Sequence, residues 1–234
     1  MLVVLKRKTI IKIVSVALAI ITVFSLSVGV SSSVSATAKL GKTVVIDAGH
    51  GGIDGGVVGS ITGEKESEIN LAIAKSLKNY LDRNGYSVVL TRKNSEGLYS
   101  NSAKNKKRSD MEKRKNIIEN AKPDMVVSIH QNYYTLSSVE GAQVFYGESE
   151  TSSEYASVFQ SHLNSQLGSD RVAKEGDYYL LNCTPYPSVI VECGFLSNAR
   201  EEKLLTTPTY QKKVAYAIFV AIHSILGENE HAHH

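Results

Sequence analysis

Short apolar runs rich in β-branched residues alternate along this chain with longer segments of helical periodicity. The central runs are continuously apolar, as expected of strands that are covered on both faces. Strands alternating with helices predict an α/β fold, here a single three-layer domain in which a largely parallel, twisted sheet of about six strands carries helices on both faces. The predicted strands lie at 43–46, 86–90, 125–129, 142–146 and 188–191, and the predicted helices at 66–83, 108–121, 153–167 and 208–226.

The N-terminal segment has the pattern of an export leader. Residues 1–38 contain four cations and no Asp or Glu, and an apolar run over 13–30 precedes Ala36-Thr37-Ala38, a form that leader peptidases accept. We predict a signal peptide over 1–38. A retained membrane anchor is the alternative, because the run is close to the ~20 residues that span a bilayer. Both interpretations place the predicted catalytic domain, 39–228, and a polar tail, 229–234, outside the cytoplasmic membrane.

The net charge of the chain changes once the leader is set aside. The whole chain has 26 basic and 23 acidic residues, but without the four leader cations 22 basic residues stand against 23 acidic ones, a net charge of −1. The sequence therefore predicts no nucleic-acid partner, which would require a basic domain. The densest basic patch, 104–108, lies in a stretch rich in Ser and Asn, so we expect a solvated loop there.

The chain has two cysteines, Cys183 and Cys193. An exported protein could pair them in a disulfide. Cys193 follows a strongly apolar predicted strand, however, so we expect it to be a buried free thiol.

Three of the predicted strands run into residues that can bind a metal. His50 follows the first strand within a glycine-rich turn, His130 follows the third, and Glu192 follows the last. Ligands of open α/β sheets bind beyond the carboxyl ends of the strands, so these three side chains are expected to converge at one sheet edge. Two imidazoles and a carboxylate in one crevice are typical of a zinc site.

A fourth candidate, Glu66, lies at the start of the predicted helix 66–83. It extends the buried stripe of that helix by one turn, since it precedes Ile69 and Asn70 by three and four residues. An unpaired carboxylate on a buried face is costly, and a cation would remove that cost.

Taken singly, each of these residues has a plainer explanation. His50 could satisfy backbone groups in its turn, His130 could be a core histidine, and Glu192 could belong to a buried ion pair. The combination of four such residues at strand ends and on one helix stripe favours a metal site. Nucleotide binding is weakly supported, because neither glycine-rich phosphate motif follows the first strand.

The motifs of this chain, in their order, resemble those of zinc-dependent N-acetylmuramoyl-L-alanine amidases (amidase type 3). Where this chain has Glu66-Ser67-Glu68 the family usually has Glu-Lys-Asp, and Gln131 replaces an Ala beside the histidine of Ser-Ile-His-Ala-Asn. Glu119 stands where an Asn is common. The resemblance covers about residues 43–226, and its other matches are Val45-Ile46-Asp47-Ala48-Gly49-His50-Gly51-Gly52, Leu90-Thr91-Arg92, Arg114 and Val191-Glu192-Cys193-Gly194-Phe195-Leu196-Ser197-Asn198.

The resemblance implies hydrolysis of the amide bond between the lactyl group of N-acetylmuramic acid and L-alanine in peptidoglycan. One Zn²⁺ per chain would be bound by His50, Glu66 and His130, and Glu192 would be the catalytic carboxylate. Substrate contacts would come from Asn132, Arg92 and Arg114. The short segment from His130 to Glu192 has no room for the autoinhibitory helical insertion of some members, which leaves control to expression, localisation or an activating protein partner.

The size, single domain and leader also resemble the spore-cortex amidases. In those enzymes peptide removal precedes formation of muramic-δ-lactam, which marks the cortex for lysis at germination, so we expect this chain in the cell wall or spore cortex space. The alternatives are vegetative wall turnover or phage-type lysis, a zinc carboxypeptidase acting on stem peptides, and a non-catalytic peptidoglycan-binding module with a closed four-ligand metal site.

Overall fold

The computed structural model describes residues 40–227 together with Lys8. The predicted leader, apart from Lys8, and the predicted polar tail therefore lie outside the described residues. Within the described part of the chain, no helix is long and apolar enough to cross a membrane.

A single six-stranded sheet organises the domain, in the order β2-β1-β3-β6-β4-β5. Strands β2, β1, β3 and β6 are mutually parallel, whereas β4 pairs with β6 in the antiparallel sense. The predicted fold class is thereby confirmed. The strands are β1 (Thr43–Ala48), β2 (Ser87–Leu90), β3 (Met125–Asn132), β4 (Gln143–Tyr146), β5 (Lys174–Glu175) and β6 (Ser188–Phe195).

Six helices complete the domain, and the four long ones lie where periodicity predicts them. The sequence prediction missed β5 and two helices, which have only two, four and seven residues and are too short to show a period. The helices are α1 (Glu66–Arg83), α2 (Lys106–Ala121), α3 (Glu150–Leu167), α4 (Tyr179–Asn182), α5 (Ala199–Leu205) and α6 (Pro208–Leu226).

Apolar packing covers both faces of the sheet. On one face the stripe of α1, including Ile73 and Leu77, packs with α3 and α6 against alternate residues of β1 and β3. On the other face Val45 and Val126 meet Ile118 of α2 and Leu180 of α4. Full burial of such side chains stabilises the fold by roughly 1.5–3 kcal/mol each.

The parallel register fixes which strand ends meet. Ala48 of β1 is paired with Ile129 of β3, and the next residue of β3, His130, is paired with Glu192 of β6. The carboxyl ends of these three adjacent strands, which carry His50, His130 and Glu192, therefore lie at the same edge of the sheet, as the sequence predicts.

Candidate active site at the carboxyl edge of the sheet

A tight turn after β1 places His50 at this edge. His50, Gly51 and Gly52 all have positive φ, at 61°, 136° and 62°, a run that only a glycine-rich segment adopts at low cost. Gly49, immediately before the turn, is constrained by space rather than by φ. A Cβ at Gly49 would lie 2.3 Å from the ring of His130, so the absence of a side chain there lets the two histidines approach each other.

The carboxylate of Glu66 lies between the two imidazoles. Its Oε1 is 3.3 Å from Nε2 of His50 and 3.0 Å from Nδ1 of His130. One ligand atom from each of these three residues lies within 4.8 Å of the other two. The structure therefore brings together the three residues that the resemblance implies as metal ligands.

Three hydrogen bonds fix the carboxylate of Glu66, which lies at the start of α1. The main-chain N–H of Val57 donates to Glu66 Oε2 at 2.9 Å, and the main-chain N–H of Gln131 donates to Oε1 at 3.0 Å. The side chain of Asn70, one helical turn later, donates to the same Oε1 at 3.3 Å. Glu66 is only 2% exposed, as expected for a residue that extends the buried stripe.

The charges in this cluster shift the pKa values of His50 and Glu66. Burial alone would lower the pKa of His50, but Glu66 and Asp54 outweigh it and raise that pKa to about 9. Burial alone would raise the pKa of Glu66, whereas the two imidazoles hold it well below its usual range. Asp54 Oδ1 lies 2.9 Å from Nδ1 of His50 and so orients Nε2 towards Glu66, an arrangement found behind metal-binding histidines.

Glu192 is the fourth residue at this edge. It is 8% exposed, and its Oε2 has no hydrogen-bond partner among the described residues. Burial raises the pKa of Glu192 to about 7, and the charge of Glu66 adds to the shift although His130 opposes it. A buried carboxylate with a pKa near neutrality can both accept and return a proton.

The neighbouring Cys193 is buried on β6, and both cysteines are free thiols, as expected for Cys193. Burial raises the pKa of the Cys193 thiol, which argues against its use as a thiolate ligand. Consecutive side chains on a strand point to opposite faces, so Glu192 and Cys193 do not share the crevice.

Arg92 and Arg114 are buried beside the His50 turn, and Arg114 also lines the cavity next to the imidazoles. Arg92 is 2% exposed and donates to the carbonyls of Ala48, Gly49, Ser67 and Asn94. Arg114 is 1% exposed and donates to the carbonyls of Ala48 and His50 and to two carboxylates, Asp47 and Asp110. Each guanidinium group makes four hydrogen bonds within the protein, and we propose that both residues hold the turn in place. Contact of either residue with substrate stays a prediction.

Asn132 lies half-buried just past His130, next to an irregularity in the pairing of β3 with β6. Such bulges commonly re-aim side chains beside active sites. Asn132 thus stays a proposed substrate contact. Gln131, which replaces the usual Ala, contacts the inferred ligand Glu66 through its main-chain N–H, a contact that the sequence did not predict.

A cavity of about 610 Å³ opens from the two imidazoles. One wall is formed by the segment that leads into α2 and by the first residues of that helix, and the other by α4 and the residue before it. Lys106 and Lys107, expected to lie in a solvated loop, belong instead to the first turn of α2 and line the cavity together with Tyr99, Tyr178 and Tyr179.

Comparisons with known proteins agree with this geometry. The family model described as N-acetylmuramoyl-L-alanine amidase matches residues 44–224. The germination-specific N-acetylmuramoyl-L-alanine amidase of Bacillus subtilis is 35% identical over 189 residues, which cover 78% of this chain and 78% of that protein. These matches confirm the resemblance inferred from the motifs.

Solved structures give the same result. The CwlD amidase of Clostridioides difficile, solved in complex with the GerS lipoprotein, superimposes with a TM-score of 0.76 at 40% identity and covers 80% of this chain and 98% of its own. The catalytic domain of the amidase CwlV from Bacillus (Paenibacillus) polymyxa var. colistinus gives a TM-score of 0.72 at 34% identity, covering 80% and 98%. The chain therefore belongs to the N-acetylmuramoyl-L-alanine amidase family and is an enzyme that hydrolyses this amide bond in peptidoglycan.

Proposed function

We propose that the chain is a zinc-dependent amidase of spore cortex maturation, with His50, Glu66 and His130 as metal ligands and Glu192 as the catalytic carboxylate. The observation that carries the proposal is the convergence of two imidazoles on one buried carboxylate, beside a second buried carboxylate that has no hydrogen-bond partner among the described residues.

The donor set fits one Zn²⁺. Two imidazole nitrogens and one carboxylate oxygen form the three-ligand set of catalytic zinc sites, in which a fourth position stays open. Nδ1 of His130 and Nε2 of His50 both face Glu66, so the two rings have the orientation that a shared cation requires. The thiol of Cys193 points away from the side chain of Glu192, which disfavours a closed four-ligand site completed by that thiol.

When bound, Zn²⁺ polarises the scissile carbonyl and lowers the pKa of a water towards neutrality. Glu192 accepts the proton of the attacking water and then donates that proton to the departing amine of L-alanine. Its burial keeps the proton affinity high enough for the second step. Asp54, Asn70 and the N–H of Gln131 hold the ligand side chains in place throughout.

Mass spectrometry of the products tests the activity. We would incubate residues 39–234 with purified peptidoglycan, once with added zinc and once with a chelator. The expected result is stem peptides with a free L-alanine amino terminus, formed only with metal. Released D-alanine would support the carboxypeptidase instead, and His50→Ala or His130→Ala is expected to remove both bound zinc and product.

The spore role rests on the germination-specific relative, and the structure of CwlD in complex with the GerS lipoprotein supports a protein partner for this chain. Deleting the gene in its host and analysing spore cortex muropeptides tests the role. We expect loss of muramic-δ-lactam and a germination defect, restored by the wild-type gene but not by Glu192→Gln. Normal lactam with impaired vegetative wall turnover would contradict the spore assignment. An exported location, by leader cleavage or membrane tether, is part of the same proposal.

A further inference from the structure

The cavity beside the imidazoles is lined by two chemically different sets of side chains. One set is aromatic, Tyr178 and Tyr179, which are 41% and 48% exposed, and the other is cationic, Lys106 and Lys107. Lys106 Nζ sits 5.1 Å from the ring centroid of Tyr99, which orients its ammonium group at the cavity wall. Lys107 lines the same cavity as His50 and Asp54.

Neither lysine is neutralised by a carboxylate. Among the ion pairs within residues 40–227, none involves Lys106 or Lys107. The three acidic residues that line the cavity are already engaged: Asp47 and Asp110 pair with Arg114, and Asp54 accepts from Gly56 and pairs with His50. Two ammonium groups are therefore available to a ligand.

Their position also contradicts the electrostatics of the helix that carries them. The first turn of α2 contains Lys106, Lys107 and Arg108 and no acidic residue, although the positive end of a helix dipole favours anions there. Departures from such local rules are concentrated at functional sites. The lysines are thus not explained by the stability of α2.

The substrate has one neutral part and one anionic part. The lactyl carboxyl of muramic acid is consumed in the amide bond, so the glycan next to the scissile bond is uncharged. The stem peptide bears carboxylates, the first of them on the D-glutamate that follows L-alanine unless that group is amidated. We propose that the cavity is the stem-peptide subsite and that Lys106 and Lys107 select a free α-carboxylate on this second residue.

This proposal rests on the proposed amidase chemistry and adds the side of the substrate that enters the cavity. Because both lysines are solvent-accessible, each contact is worth what an exposed ion pair is worth, so the expected preference is about three- to tenfold. The contact is made alike in the bound substrate and in the transition state, so it changes KM and leaves kcat nearly constant. The preference shrinks at high salt.

The experiment compares two soluble disaccharide-peptides that differ only in whether this α-carboxylate is free or amidated. Their kcat/KM is measured with the wild type, with K106A/K107A, and with K104A as the matched control, an exposed lysine outside the cavity. We expect the wild type and K104A to prefer the free carboxylate, and K106A/K107A to treat both substrates alike. The double variant should unfold at an unchanged or higher temperature, because it removes cations from a helix start.

Three results would overturn the proposal: equal rates in the wild type, a preference that survives in K106A/K107A, or an equal loss on both substrates, which would place the neutral glycan in the cavity. A wild type that cleaves neither compound contradicts the proposed function instead. In that case the subsite is tested by binding alone, with the affinities of the two free stem peptides measured by calorimetry. Tighter binding of the free acid to the wild type only supports the subsite, and any other pattern excludes it.

Discussion

Two groups of buried polar residues lie at the same edge of the sheet, and they differ in whether their charges are satisfied. In the first, Asp47 accepts from Thr91, Arg114 and Ser128 at 2.6–2.7 Å, and the guanidinium of Arg114 has its remaining donors on other oxygens. In the second, Glu192 has an oxygen with no partner among the described residues, and two imidazoles share one carboxylate, that of Glu66.

This difference distinguishes the residues that hold the site in shape from the residues that can take part in the reaction. In the first group the buried charges of Asp47 and Arg114 are paired with each other, and Arg114 also donates to the carbonyl of His50, which holds the turn. A cluster that leaves a buried carboxylate oxygen free carries a cost that a substrate or a metal removes. We infer that the first group fixes the position of the second.

The largest effect is expected from Glu192→Gln, which keeps the shape of the side chain and removes the proton acceptor. Turnover should fall by about 10²- to 10⁴-fold, the usual contribution of a general acid–base group. Zinc content and the free energy of unfolding should not fall, because the buried charge that is lost has no partner to leave behind. Steady-state kinetics, metal analysis and urea denaturation measure the three quantities. The control is Glu119→Gln, an exposed change of the same kind on α2, and activity retained by Glu192→Gln would refute its catalytic role.

Next in size is Asp47→Ala, which should act on stability. The substitution leaves buried Arg114 with Asp110 as its remaining carboxylate partner, so the free energy of unfolding should fall by about 3 kcal/mol at neutral pH, the lower end of the range for a broken buried pair. Urea denaturation measures this, with Asp82→Ala as the control: Asp82 forms an exposed pair with Lys78, worth about 0.3–0.5 kcal/mol. Equal effects of the two substitutions would remove the distinction between the two groups.

The carboxylate of Asp47 makes the free energy of unfolding depend on pH. Burial by itself would raise the pKa of Asp47, but Arg114, Ser128 and Thr91 outweigh it and lower that pKa to about 2. Because the pKa in the folded protein lies below the ordinary value of 3.8, the stability that Asp47 confers is present above about pH 4 and is lost as the pH falls towards 2. The difference between the wild type and Asp47→Ala should therefore shrink in acid.

The smallest effect is expected from Gln131→Ala. This substitution tests whether Gln131 helps to position the metal ligand Glu66 through Asn70. Gln131 Nε2 donates to Asn70 Oδ1 at 3.0 Å, and this contact turns the Asn70 amide towards Glu66. Losing a residue that orients a ligand typically costs about tenfold or more in metal affinity. Chelator competition measures the change, and Gln160→Ala, a buried glutamine on α3, is the control. Unchanged affinity in Gln131→Ala would mean that Asn70 is held by its bond to Gly49 alone.

Much of the site was predictable because its residues follow strong local patterns. His50, His130 and Glu192 each follow a continuous apolar strand, and parallel strands deliver their ends to one edge. Glu66 continues the stripe of α1. The positions of Arg92 and Arg114 were not predictable in this way, because the sequence does not distinguish an arginine buried inside the domain from one on its surface.

The sequence by itself determined the strand–helix alternation, the four long helices and the four residues of the candidate active site, because each depends on periodicity or on position at the end of an element. Only the tertiary structure decided the rest. It turned Arg92 and Arg114 inwards, linked Gln131 through Asn70 to Glu66, and placed Lys106 and Lys107 at a cavity beside the imidazoles. Those contacts join residues far apart in the chain, and their geometry is set by the packing of whole elements, which no local pattern records.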